Sequence, residues 1–496
     1  MEHFDTIIVG AGLSGIGAAW HLQNRVPGRN FAILEGRGVI GGTWDLFRYP
    51  GVRSDSDMYT LGYRFKPWRN AKAIADGPSI RDYVREAASE NGIDRHIRFH
   101  HLVRSASWDS SRALWILEVE VGDEKSRTLF TCSFLFMCSG YYSYKEGYKP
   151  DFPGMQDFCG EIVHPQFWPE TLNVCGKRVI VIGSGATAVT LVPELAKDTS
   201  LVTMLQRSPT YVVSRPGQDK FANWLREHLP AKLAYGITRW KNVLFSMYFY
   251  RLARRHPQKV KERLVQMVLN ELGPDFDVKT HFTPSYHPWD QRLCLVPDSD
   301  LFRAIRSGRA QVVTDHIERF VKDGILLKSG KVLHADIVVT ATGLKLEVLG
   351  GMTVTVDGHA VDMSKTLSYK GLMYSDVPNL ASSFGYTNAS WTLKCDLTCE
   401  YVCRILKHMS KHGYVQATPR RLDPSVGEEP WLDLTSGYVQ RAIAYLPKQG
   451  NKRPWKLYQN YAFDLVSLRF GRIDDETIEF RAAQALPHAI SRLAAA

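Results

Sequence analysis

Residues 5–23 read DTIIVGAGLSGIGAAWHLQ. The β-branched run Thr6 to Val9 predicts a strand, Gly10-Ala11-Gly12-Leu13-Ser14-Gly15 a tight turn, and Ile16 to Gln23 a helix. In such a unit Gly10 permits the turn, Gly12 lets the backbone approach a pyrophosphate, and Gly15 lets the helix pack closely on the strand. The helix N-terminus then presents free N–H groups and a positive dipole end to phosphate. A second strand, Phe31 to Leu34, ends in Glu35, 20 residues after Gly15. A carboxylate there accepts from a ribose 2′-OH and repels a 2′-phosphate, so this unit suits FAD or NAD rather than NADP.

The pattern recurs. Arg178 to Ile182 predicts a strand, followed by Gly183-Ser184-Gly185-Ala186-Thr187-Ala188, where the closing alanine is small enough for close helix packing. The next strand, Leu201 to Leu205, leads into Gln206-Arg207-Ser208. Arg207 stands where the first unit carries Glu35, and a guanidinium with Ser208 beside it suits the 2′-phosphate of NADPH. Two units of opposite charge imply electron flow from NADPH to a tightly held flavin. A third strand, Ala335 to Thr340, runs into Ala341-Thr342-Gly343, which resembles the return linker of two-dinucleotide flavoproteins; Phe134 to Gly140 resembles the outgoing one. The expected fold is α/β: two Rossmann-like dinucleotide-binding domains, one for FAD (1–145 and 346–496) and one for NADPH (146–345), with a basic helical insertion at about 213–286.

The 496 residues exceed what one core usually serves, and a chain 44% hydrophobic and 23% charged is globular rather than disordered. Eight scattered cysteines have neither metal-ligand spacing nor a secreted framework, so reduced thiols, no metal site and a cytoplasmic location are expected. Met1 leads straight into the first predicted strand, so no signal peptide is expected, and no apolar run is long enough to span a membrane. A disulfide reductase would need a cysteine pair near the flavin, and the first cysteine is Cys132. Cys395, Cys399 and Cys403 recur every four residues and predict a buried helix face.

Between the two units lies Phe158-Cys159-Gly160-Glu161-Ile162-Val163-His164-Pro165-Gln166-Phe167-Trp168-Pro169. This matches the F-x-G-x-x-x-H-x-x-x-W-P fingerprint of Baeyer–Villiger (class B flavoprotein) monooxygenases in Phe158, Gly160, His164, Trp168 and Pro169. Gly41-Gly42-Thr43-Trp44 followed by YPGVRSD (49–55) resembles the flavin-facing loop of that family, which adds Gly42, Thr43, Trp44 and Asp55 to the cofactor contacts. DLFRYPG, SDSDMYTLG, HPWDQRLCLVP and GYTNASWTLK resemble its ethionamide-activating subgroup, and the likeness runs the length of the chain.

The resemblance implies NADPH- and O2-dependent conversion of a small ketone to an ester or lactone through a C4a-peroxyflavin, with oxidation of sulfur in thioethers or thioamides. It implies Arg292 as the catalytic cation, which stays charged near neutrality, with Asp55 as its partner. An N- or S-oxygenating flavin monooxygenase is the alternative, and a flavin-bearing NADPH sensor is a third reading. The resemblance assigns His164 to coupling between domains rather than to proton transfer. Gln291 departs from the family pattern, which places lysine before the arginine to grip the 2′-phosphate; NADPH preference then rests more on Arg207.

The net charge of +11 is concentrated: residues 215–270 hold 12 Lys/Arg against 3 Asp/Glu, or +9. No nucleic-acid motif accompanies it. Val243, Leu244, Met247, Tyr248 and Leu252 have near-helical spacing beside Arg251, Arg254 and Arg255. The favoured expectation is a helical cap burying that apolar face; the other is weak peripheral membrane contact. Trp391, Trp431 and Tyr461 are read either as pocket lining or as core.

Overall fold

The computed structural model describes residues 1–483. Strand Glu2–Val9 pairs in parallel with Phe31–Leu34 on one side and with the end of the long strand Ser126–Met137 on the other. The first half of Ser126–Met137 pairs antiparallel with Leu114–Val121, and its last residues take Leu380–Ser382 as a further parallel neighbour. One nine-stranded sheet therefore forks around a single strand. Helix α1 (Leu13–Arg25) packs against one face, which explains its buried Ile16, Ala18, Ala19 and Leu22.

The second sheet has five strands, ordered Ala310–Thr314, Leu201–Gln206, Arg178–Ile182, Ile337–Thr340 and Glu161–Val163. All its pairings are parallel, and helix α2 (Ala186–Leu195) follows its central strand. Both expected Rossmann-like units are present. The fingerprint forms the edge strand of the second: a Cβ on Gly160 would lie 2.3 Å from the Asp336 carbonyl oxygen and 2.5 Å from the Phe158 ring, so only glycine fits. Two passages join the sheets, Tyr142–Gly147 and Leu344–Leu346, and these pair antiparallel with each other.

The insertion departs from expectation. Helices α3 (Lys220–His228) and α4 (Ala231–Arg255) pack on the first core, through Ala222, Tyr235 and Val243. Helix α5 (Pro257–Leu272) instead reaches the second core through Val268. The segment is thus a bridge across both halves rather than an excursion from one. The expected cap is corrected too: Val243 is buried, but Leu244 and Tyr248 are 57% and 65% exposed. The side of α4 opposite the core is itself apolar, and hydrophobic spacing alone does not say which side is buried.

What fastens α4 is a buried charge. The Arg239 guanidinium donates through Nη1 to the carbonyls of Tyr59 and Gly62, both at 2.8 Å, and of Thr60 at 3.3 Å. Its Nη2 lies 3.5 Å from Asp396, on helix α6 (Trp391–His412), and Asp396 also faces His21 of α1 at 3.5 Å. Cys395, Cys399 and Cys403 are buried along α6, as the four-residue spacing predicts.

A buried cation with four acceptors cannot be removed cheaply, because the acceptors lose their partner and water cannot replace it. Arg239→Ala should lower unfolding stability by about 3–5 kcal/mol in a denaturant titration; a loss below about 1 kcal/mol would show the cluster to be unimportant. Burial pushes the Asp396 carboxyl up, but His21, Arg239 and the Arg64 N–H more than reverse this and hold it below its ordinary value. Its stabilisation is complete above about pH 4 and lost as the pH falls further. Asp396→Asn should flatten that acid limb of the stability curve.

Candidate active site

The first glycine turn and the start of the helix that follows the second line one cavity of about 490 Å³. At the first turn Gly10 has φ +103°, and an added Cβ would lie 2.7 Å from the Cys138 carbonyl oxygen. A Cβ on Gly15 would overlap the Gly10 carbonyl at 1.8 Å. Gly12 and Gly42 stand back to back, a Cβ on Gly42 falling 3.0 Å from Gly12 Cα, and both line the cavity. No side chain caps α1, so its first N–H groups are free for phosphate.

Glu35 ends its strand as expected and lines the same wall, but it has a second task. Its Oε2 accepts the Ala11 N–H at 2.7 Å and its Oε1 the Arg37 N–H at 2.8 Å, which pins the glycine turn. Burial pushes its carboxyl up, against those two hydrogen bonds. Arg37, which the sequence reading missed, also lines the cavity; it pairs with Asp45 at 2.6 Å and sits over the Tyr144 ring. Ser14 accepts from Trp391 Nε1 at 2.9 Å. Trp391 therefore lines the cavity, whereas Trp431 packs in a small core and Tyr461 lines a neighbouring pocket. Thr43, Trp44 and Asp55 lie on the cavity wall as well.

At the second turn Gly183 has φ +136°, and a Cβ there would lie 2.4 Å from the Ala341 carbonyl oxygen. Gly185 faces open space, α2 has no side-chain cap, and Ala186 and Thr187 reach the shared cavity. Ser184 Oγ donates to the Ser208 carbonyl at 3.1 Å, closing the turn on the strand that presents Arg207. Arg207 is exposed and pairs with no carboxylate among the described residues. Arg441, unforeseen in the sequence, sits within reach of its charge and stacks over Tyr148 at 3.5 Å. It comes from a segment more than two hundred residues away, which no local pattern connects to the turn.

Arg292 precedes strand Cys294–Pro297 and faces the cavity opposite the first turn. Burial opposes its charge, but Tyr141, Tyr438, Asp55 and Tyr142 more than offset this and raise its pKa further. Nη2 donates to the Tyr386 carbonyl at 3.4 Å, and buried Nε has no partner among the described residues. Asp55 is exposed at the cavity rim and makes no ion pair with Arg292. Its charge reaches the guanidinium through space, without the contact that would fix the side chain in place. The loop before Arg292 is strained, with Trp289 at φ +73°, and is tied down by the Thr435 N–H donating to the Asp290 carbonyl at 2.8 Å.

The fingerprint residues lie apart from this chemistry. Phe158 is core and Trp168 packs on the second core. His164 is buried against Gly147, where a Cβ would fall 2.0 Å from its ring, and Gln166 Nε2 donates to the Ser143 carbonyl at 2.8 Å. Burial and Lys149 lower the His164 pKa, so a neutral ring packs on the passage between the sheets. Further contacts cross between the halves. Arg53 donates to Asp300 at 2.5 Å and 3.4 Å, and Arg48 to Glu170 at 3.1 Å.

The flavin-binding monooxygenase-like family signature matches residues 74–348, and an NAD(P)-binding Rossmann-like domain matches residues 8–77. The chain is 53% identical over 480 residues to the FAD-containing monooxygenase EthA of Mycolicibacterium smegmatis, covering 97% of each. It is 48% identical over 481 residues to the probable FAD-binding monooxygenase AlmA of Acinetobacter baylyi, covering 97% of this chain and 96% of that one. Among solved structures, oxidized steroid monooxygenase bound to NADP superimposes with a TM-score of 0.75 at 20% identity, over 97% of this chain and all of that one. The OTEMO complex with FAD and NADP gives 0.70 at 21%, over 84% and 88%. At those identities the two structures speak to the fold alone. The family signature and the near full-length relatives agree with the paired glycine turns: this chain belongs to the flavin-binding monooxygenase-like family.

Proposed function

We propose that the chain is an FAD-containing, NADPH- and O2-dependent Baeyer–Villiger monooxygenase that converts ketones to esters or lactones and oxidises sulfur in thioethers or thioamides. One observation carries most of the weight: the Arg292 guanidinium and the first glycine turn share a single cavity that also reaches the N-terminus of α2. The fit to FAD rests on the Gly12–Gly42 cradle, which a Cβ would fill, and on the uncapped α1 with Glu35 at the ribose position. The fit to NADPH rests on open Gly185, uncapped α2, and exposed Arg207 with Arg441 beside it.

Bound FAD, reduced by NADPH, supplies the electron pair that activates O2. The chain's part is electrostatic and steric. Arg292 holds a permanent positive charge where oxyanions develop, and the dry wall of Trp391 and Tyr386 strengthens its field. Its unpartnered Nε is a donor ready for an incoming oxygen. Asp55, at the rim, tempers that field without neutralising it. Arg207 and Arg441 grip the 2′-phosphate, a role that Gln291, having no charge, cannot share.

Arg292→Ala should cut ester formation from a ketone by about 10²–10³-fold while the protein keeps its flavin. An ester yield equal to that of the unaltered protein would remove Arg292 from the reaction, and sulfoxide without any ester from the unaltered protein would favour an enzyme confined to N- or S-oxygenation. For the nucleotide, Arg207→Ala should raise KM for NADPH by about 10–100-fold and leave NADH nearly unaffected, the loss expected for a charged hydrogen-bonding partner. Arg441→Ala should act in the same direction; equal effects on both nucleotides would place the 2′-phosphate elsewhere.

A further inference from the structure

The outward side of α4 is built for an apolar environment. Leu233, Ile237, Trp240, Leu244 and Tyr248 follow one another at spacings of four, three, four and four, which puts them on a single stripe. Their exposure runs from 39% at Ile237 to 65% at Tyr248. Helix α3 extends the face with Phe221 and Trp224, 46% and 52% exposed and stacked on each other, and Lys241 of α4 lies over the Phe221 ring. A monomeric soluble protein seldom leaves so continuous a patch open, and tryptophan and tyrosine are the side chains that favour a lipid–water boundary.

The charge around the stripe states what covers it. Helix α4 has no acidic residue in 25 positions and six basic ones. The stripe itself continues, at the next spacings of three and four, into exposed Arg251 and Arg255, and exposed Lys220 and Lys232 flank its other end. An apolar stripe ending in cations complements an anionic lipid surface, in which apolar side chains enter the acyl boundary and cations meet headgroups. Among the described residues no helix is long and apolar enough to cross a membrane, so α4 would lie in the surface plane.

A second cavity adjoins α4. Its volume is about 210 Å³, and it lies between α4 and residues 458–461, with Met247, Arg251, Asn388 and Ala389 in its wall. Ala389 also lines the flavin-type cavity. Ala389 is thus common to the walls of both cavities, and Arg251 to the smaller cavity and the end of the stripe.

We propose that α3 and α4 seat the protein on an anionic membrane surface, and that the cavity beside Met247 admits an apolar, long-chain substrate dissolved in it. The second half rests on the reading of the Arg292 cavity given above; the first does not. The flavin-loaded full chain should co-sediment with phosphatidylglycerol vesicles, and about tenfold or more weakly with phosphatidylcholine vesicles. Leu244→Glu/Tyr248→Glu, both on the exposed stripe, should abolish sedimentation while leaving flavin content and conversion of a short, water-soluble ketone unchanged. For the entrance, quenching of flavin fluorescence by a spin-labelled long-chain ketone should be slowed several-fold by Met247→Trp, whether or not the ketone is turned over. The dock is overturned if the unaltered protein stays in the supernatant, if the double variant sediments equally, or if the face proves to hold a second copy in a dimer that the variant dissolves. Unchanged quenching in Met247→Trp overturns the entrance. Vesicle binding without ketone conversion would fault the proposed reaction and leave the dock standing.

Discussion

The first glycine turn and the helix N-terminus that follows the second must look into the same cavity, and the rest of the structure serves that requirement. Each turn is made locally, by a strand, a glycine at positive φ and an uncapped helix. Their mutual placement is not local. It depends on contacts that cross between the halves, among them Arg53 with Asp300, Arg48 with Glu170, and the antiparallel pairing of the two linking passages. Directional contacts of this kind specify geometry as much as stability. A charge moved out of register leaves acceptors unsatisfied, whereas an apolar contact can slide.

The linking segment illustrates how a strong sequence pattern can sit away from the chemistry. Gly160 is required because the backbone of Asp336 and the ring of Phe158 leave no room for a Cβ. His164 is a neutral, buried ring pressed on Gly147, and Gln166 ties the same segment to Ser143. These residues hold the edge of the second sheet to the passage out of the first. The segment thus bears on how the two sheets are placed, while lying apart from Arg292.

The insertion unites structure and surface. Its inner side is anchored by Arg239, whose guanidinium satisfies three carbonyls and a carboxylate of the first half. Its outer side is an aromatic and aliphatic stripe ending in arginines. The anchor fixes the helix backbone, so the apolar outer face is presented in a set orientation.

The sequence by itself determined both dinucleotide units, the opposite charges of Glu35 and Arg207, the buried cysteine face of α6 and the membership implied by the linker. Those features are local: a turn, a strand end or a helix period is written within some thirty residues, so spacing reveals it. Tertiary structure alone decided which side of α4 is buried, because that helix is apolar on both sides and its period is the same for either. It also brought Arg441 to Arg207, gave Glu35 its structural task, and left Asp55 near Arg292 without an ion pair. Each of these depends on residues far apart in the chain meeting at fixed distances, and no local pattern encodes a distance between segments that meet only on folding.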